Sequence, residues 1–185
     1  MSSRPHQASR RWTPFDGSIY RSDPHAELSK VGVIDVGSNS VRMVVFDGAA
    51  RSPAYFYNEK VMCELGAGLS ETGILNPEGR TRALAAIARF VQMARAMDVP
   101  KLTAVATAAV RDAKDGEEFC LDALNQTGQH ITIVNGEEEA RLSAQGVLLG
   151  WPGSYGLVCE RGGSSMERAE ISGGIVGKRT TAALG

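Results

Sequence analysis

Val31-Gly32-Val33-Ile34-Asp35-Val36-Gly37-Ser38-Asn39-Ser40-Val41-Arg42-Met43-Val44-Val45 reads as an apolar strand, a short polar turn and a second apolar strand leaving it. The first strand delivers one carboxylate, Asp35, to a turn of small residues. A backbone can approach phosphate closely at such a turn, because Gly37 carries no side chain to block it and Ser38, Asn39 and Ser40 offer donors. Asp35 can hold a divalent cation that offsets phosphate charge. A looser copy recurs as Leu157-Val158-Cys159-Glu160-Arg161-Gly162-Gly163-Ser164-Ser165-Met166-Glu167-Arg168-Ala169. Two such turns in one chain can face each other.

Outward from this stretch, three β-rich segments, Val31–Val36, Ser40–Phe46 and 54–65, with Asp47-Gly48 between the second and third, predict an antiparallel meander. Asn76-Pro77 supplies a cap and a proline at the first helical position. Leu84, Ile87, Val91 and Ala94 then recur at helical spacing as far as Met97, as core contacts rather than a binding box. The apolar run 102–107 suits a buried strand with a helix to follow. Asp115-Gly-Glu-Glu118 resembles a capping box, and Phe119, Cys120, Ala123 and Leu124 give that helix its buried face before Gly128. Residues 131–134 form the next strand. Asn135-Gly-Glu-Glu138 opens a further helix, carrying Ala140, Ser143, Ala144, Val147 and Leu148 to a stop at Trp151-Pro152-Gly153. Strands at 155–160, 166–171 and 175–181 follow.

This order predicts the α/β class: a disordered tail at 1–30, a complete mixed-sheet unit at 31–153, and the opening strands of a second, truncated unit at 154–185. The last three strands have no following helix to cover them, so they should pack on the first unit or on a partner.

Across 185 residues, 20 Lys and Arg nearly cancel 21 Asp and Glu. Bulk charge therefore argues for neither nucleic acid nor membrane, and any anion site must be local. Apolar residues at 43% suffice for a globular core. Cys63, Cys120 and Cys159 form no Cys-x-x-Cys pair and read as core residues in a reduced, cytoplasmic setting. The tail carries Arg4, Arg10, Arg11 and Arg21 without an apolar segment, so it reads as a solvated extension rather than a leader or anchor. No later run is long and apolar enough to span a bilayer. His6, His25 and His130 lack metal-ligand spacing.

Asp35-Val-Gly-Ser-Asn-Ser40, Thr107-Ala-Ala-Val-Arg111, Asn135-Gly-Glu-Glu-Glu-Ala-Arg-Leu142 and the later Gly-Gly-Ser element, in this order, resemble the exopolyphosphatase/guanosine pentaphosphate phosphohydrolase family. That family belongs to the actin-like ATPase superfamily, in which ribonuclease-H-like domains face each other across a cleft. The resemblance covers 31–185. It implies removal of a terminal phosphoryl group from inorganic polyphosphate or guanosine pentaphosphate, with water as nucleophile and Mg²⁺ or another divalent cation as cofactor. It further implies that Gly37, Ser38, Asn39 and Ser40 form one phosphate-binding turn and Gly162, Gly163 and Ser164 the other, with Asp35, Glu160 and Glu167 as metal-side carboxylates. Arg111 aligns with an arginine that contacts the phosphate chain, a role suited to its planar fork of donors, and Glu139 with the catalytic base. The full-length proteins of the family often form homodimers.

The chain departs from the family at the second turn, which usually reads Asp, an apolar residue, three glycines, Ser, Thr and Glu. Here Glu160 lengthens the metal arm by one methylene and Ser164 replaces the third glycine. Arg161 and Arg168 stand among strand residues that are otherwise apolar, and burying either without a partner would be costly. Ordinary helix-start chemistry accounts for Glu137 and Glu138, and Arg42 reads as a surface position on its strand. A helix start favours the ionised form of Glu139 while lowering its basicity. Hydrolysis and binding without turnover both stay open; a kinase of the same superfamily is a third reading, against which the Glu139 match argues.

Overall fold

The computed structural model describes residues 29–48 and 54–184. Of the sequence-predicted tail at 1–30, only Ser29 and Lys30 fall within the described residues. Lys30 is anchored there, its Nζ donating to Met97 O at 2.8 Å and lying 4.4 Å above the Phe56 ring.

The expected meander forms from β1 (Val31–Val36), β2 (Ser40–Phe46) and β3 (Tyr55–Met62), all antiparallel. After α1 (Leu69–Thr72) and α2 (Pro77–Ala96), β4 (Lys101–Ala106) adds to β1 in parallel. α3 (Ala108–Asp112) and α4 (Gly116–Thr127) precede β5 (Ile131–Ile133), which completes a mixed five-stranded sheet of order β3-β2-β1-β4-β5. α5 (Gly136–Gly150) then leads to β6 (Gly156–Arg161), β7 (Ser165–Ser172) and β8 (Ile175–Ala183), a separate antiparallel sheet.

Strand alternation decides what each face of the larger sheet does. Ile34 and Val36 of β1, Val41, Met43 and Val45 of β2, and Ala104 and Ala106 of β4 point to one side, where Ile87 and Phe90 of α2 and Phe119 of α4 cover them. Burying each large side chain of this kind contributes about 1.5–3 kcal/mol. The opposite parity leaves Asp35, Arg42 and Lys60 as cross-strand neighbours on the other face. The core thereby fixes which face can carry charge.

Helix starts follow the sequence signals in two cases out of three. Asn76 accepts from Glu78 N and Gly79 N, and Asn135 from Glu138 N at 2.8 Å. Asp115 does not cap α4: its Oδ1 takes the Leu75 N–H at 2.9 Å and its Oδ2 pairs with Arg80 at 3.0 Å. A charge-assisted bond to a guanidinium outcompetes a neutral amide. The helix expected between Asp115 and Gly128 forms as α4, and the short α3 before it is an addition to the sequence reading; between them the chain folds back so closely at Gly116 that a Cβ there would stand 1.9 Å from Val110 O.

β6, β7 and β8 pack on α5, a helix that precedes them and lies within the sequence-predicted first unit. Ala140 and Ala144 pack on Ala169 and Ile171, forming a small core of their own. α5 directly follows β5, and its apolar stripe packs on the second sheet. Among the described residues no helix is long and apolar enough to cross a membrane. Cys63 is buried and Cys120 half-buried, whereas Cys159 is exposed rather than in the core, since it sits on the uncovered side of β6.

Arg80 joins α2 to α4 by pairing with Asp115, Glu118 and Asp122. Arg80→Ala leaves these carboxylates without their shared cation and should lower unfolding free energy by about 1–3 kcal/mol, read as a reduced urea midpoint at unchanged m-value.

Candidate phosphate-binding cleft

The turns that join β1 to β2 and β6 to β7 are closed in the same way. Gly37 N–H donates to Ser40 O and Gly162 N–H to Ser165 O, each at 2.9 Å. In the first turn the carbonyls are held from behind: Ser38 O accepts from Gly66 N, and Asn39 O from both Cys63 N and Glu64 N. Glu64 adopts φ 56°, an uncommon conformation that lets two consecutive amides reach one oxygen. Across each trans peptide plane the N–H of the next residue points the opposite way, so the Asn39 and Ser40 amides face away from that loop.

The two turns touch. Ser38 Oγ and Ser164 Oγ are 2.8 Å apart, and a Cβ on Gly163 would come within 3.0 Å of Asn39 Nδ2 and 3.1 Å of Ser38 Cβ. A side chain at 163 would therefore crowd Asn39 and Ser38, which would have to give way. Together the turns line an open cleft of about 650 Å³, within the usual size range of ligand sites.

Three carboxylates face this space: Asp35 from β1, Glu139 from the first turn of α5 and Glu160 from β6. Asp35 is open to solvent along the cleft but walled by protein elsewhere. That desolvation raises its pKa above the ordinary carboxylate value, neighbouring Glu160 raises it further, and Arg42 opposes both. Glu139 is pushed up to about 7, first by desolvation and then by the charge of Glu167, against the hydrogen bond and charge of Arg111, with Glu160 adding a smaller push. Glu138, by contrast, is lowered by its hydrogen bonds to Arg141 and faces its own helix.

Arg111 does not line the cleft. Its Nη1 donates to Glu139 Oε2 at 3.1 Å and to Val134 O at 3.4 Å, and its Nε pairs with Asp112. Placed on α3, it backs and orients Glu139. Glu167 also lies off the cleft lining: it is 1% exposed, its Oε1 accepts from Thr181 Oγ1, and its Oε2 has no partner among the described residues. An unmet buried acceptor costs about 1–3 kcal/mol.

Among the described residues no three His, Cys, Asp or Glu side chains converge as a metal cage. Mg²⁺ does not require one, because it takes one or two carboxylates and completes its octahedron with water and substrate phosphate. Asp35 and Glu160, from facing sheets and close enough for one to shift the other, fit that donor set.

The cleft lining also holds the cations Arg42, Lys60 and Arg161, none of them among the expected site residues, although Arg42 could be read as facing the anion. Arg42 is exposed, as expected of a surface residue, but it lies on the cleft face, with Nε donating to Asn58 Oδ1 at 2.9 Å. Lys60 stands beside it in register. The signal was present: a turn closed between Gly37 and Ser40 pairs Val36 with Val41 and hence Asp35 with Arg42. Ser143, one helical turn after Glu139, also reaches the cleft and donates to Glu160 Oε2. Arg161 and Arg168 are both exposed, so neither incurs the cost of burial.

This architecture, with facing turns on two sheets, is that of the actin-like ATPases. The model of the Ppx/GppA phosphatase family matches residues 44–185, and the chain belongs to that family. Exopolyphosphatase 1 of Mycobacterium tuberculosis is 30% identical over 149 residues, covering 79% of this chain and 42% of that protein. The chain thus spans less than half the length of the curated relatives it matches. An exopolyphosphatase from Cytophaga hutchinsonii has the same fold, with TM-score 0.77 and 24% identity over 85% of this chain and 51% of that one. The PPX-GPPA enzyme of Aquifex aeolicus gives TM-score 0.74 and 27% identity over 85% and 53%.

A carboxyl whose pKa rises on folding favours the folded state while protonated. For Glu139 this contribution is complete below its ordinary value of 4.5 and is lost as pH climbs through about 7. Glu139→Gln removes the titration, so the urea midpoint of the variant relative to the parent should rise between about pH 5 and about pH 8. Equal differences at both pH values would contradict the assignment.

Proposed function

We propose that this chain carries the phosphate-gripping cleft of an exopolyphosphatase-type hydrolase, which releases terminal phosphate from inorganic polyphosphate or guanosine pentaphosphate by attack of water. The observation that carries the reading is Glu139, a carboxylate near neutral pKa, facing a cleft between two donor turns that meet at Ser38 and Ser164.

Phosphoryl transfer asks little covalent work of a protein, so positioning and charge dominate. The turn amides and hydroxyls of Ser38, Asn39, Ser40 and Ser164 hold the terminal phosphate. Glu139 orients the attacking water and accepts its proton, a task for which a pKa near the working pH is suited. Arg111 keeps that carboxylate in one orientation. Arg42 and Lys60 draw the polyanion into a cleft that would otherwise repel it. A divalent cation such as Mg²⁺, held by Asp35 and Glu160, supplies neutralisation of phosphate charge when bound.

Phosphate release from medium-length polyphosphate with Mg²⁺, compared with release in a chelator, tests the reading. Glu139→Gln should lower kcat by about 100-fold or more while polyphosphate binding, measured by calorimetry, persists. Tight binding by the parent chain without any release, or full activity in Glu139→Gln, overturns it.

A further inference from the structure

We propose that Thr181 of β8 is a positioning residue for Glu139, acting through the start of α5 and the buried side chain of Glu167. The proposal rests on the reading of Glu139 as the base.

α5 is held to its sheet by Ala140 and Ala144 against Ala169 and Ile171, with Val147 and Leu148 adding larger contacts toward its far end, away from its start. Alanine side chains interlock weakly, so they leave the height of the helix start over the sheet to be set elsewhere. Thr181 supplies that contact. A Cβ on Gly136 would fall 2.3 Å from Thr181 Cγ2 and 2.5 Å from its Cβ, so the first residue of α5 rests directly on this side chain.

The same threonine is tied down on its other side. Its Oγ1 donates at 3.1 Å to Oε1 of Glu167, its cross-strand neighbour on β7. The methyl and hydroxyl share one stiff χ1, so the bond to Glu167 fixes the rotamer that supports Gly136. Glu167 is itself 1% exposed and cannot swing away.

Glu139 lies in the turn that Gly136 begins, and its partner Arg111 stands on α3, outside this sheet. A displacement of the helix start therefore moves the base relative to both Arg111 and the cleft. Errors of about 1 Å in such placement can cost on the order of 100-fold in rate. Thr181 lies exposed on an edge strand, so changing it leaves both apolar cores intact.

The test compares Thr181→Val, which keeps the shape and removes the hydroxyl, with Thr181→Ser, which keeps the hydroxyl. In the full chain, Thr181→Val should lower kcat for polyphosphate by about 10-fold with KM changed less than about 2-fold, and Thr181→Ser, which keeps the hydrogen bond but loses the Cγ2 that meets Gly136, should recover only part of the loss. Amide exchange at Glu138, Glu139 and Ala140 should quicken in Thr181→Val while α2 amides stay as in the parent. Unchanged exchange in the α5 turn, equal acceleration in α2, or an unaltered kcat in an active chain overturns the proposal. Should the parent chain release no phosphate, the reading of Glu139 fails, and the exchange comparison alone decides whether Thr181 positions the turn.

Discussion

Ser38 Oγ and Ser164 Oγ lie 2.8 Å apart where two separately cored sheets meet, and the geometry of the cleft follows from what that contact demands. Ser38 is closely packed by two glycines. A Cβ on Gly66 would lie 3.2 Å from its Cβ, and one on Gly163 would lie 3.1 Å away on another side. Two hydroxyls suit such a place because each can donate or accept, so one donates to the other and the second keeps its own O–H to donate elsewhere. The hairpins that present them are closed by matching hydrogen bonds, which brings amides from both turns to one small volume. A group that binds there must be compact, acceptor-rich and tolerant of close backbone, which describes phosphate.

Charge around this contact is set out differently on the two sides. Asp35 and Arg42 oppose each other within one sheet, while Glu160 reaches in from the other and meets Ser143. Desolvation first, and then neighbouring carboxylates, raise the pKa of both Asp35 and Glu139, so gathering these charges carries an electrostatic penalty. In the function proposed, a divalent cation would relieve the carboxylates and a polyanion would meet Arg42 and Lys60. Sites of this kind trade stability for function, because the groups that repel each other are the ones that recognise ligand.

The sequence disclosed what depends on local chemistry. The hairpin around Gly37, the Asn76-Pro77 helix start and the meander all follow from neighbours within a few residues. What it concealed depends on distant partners. Asp115 had every appearance of a cap, yet Arg80 and Leu75 N, 35 and 40 residues away, claimed its carboxylate. Arg111 matched a phosphate contact, but the chain crossing at β5 brings Glu139 to its guanidinium. Asp35 facing Arg42 was derivable from hairpin register alone; Glu167 turning inward toward Thr181 was not, because it requires the pairing of β7 with β8.

α5 joins these two levels of order. It begins where β5 of the larger sheet ends, and its body packs on the smaller sheet, so it belongs to both halves of the molecule. Polar links cross between the halves, Ser38 with Ser164 and Arg111 with Glu139, whereas Ser143 with Glu160 ties α5 to its own sheet. Apolar packing holds each half rigid, whereas these polar contacts respond to ions and protons. The carboxylate assigned as base therefore sits on the element through which the separation of the two turns is set. Its reach to a phosphate between them depends on both halves at once.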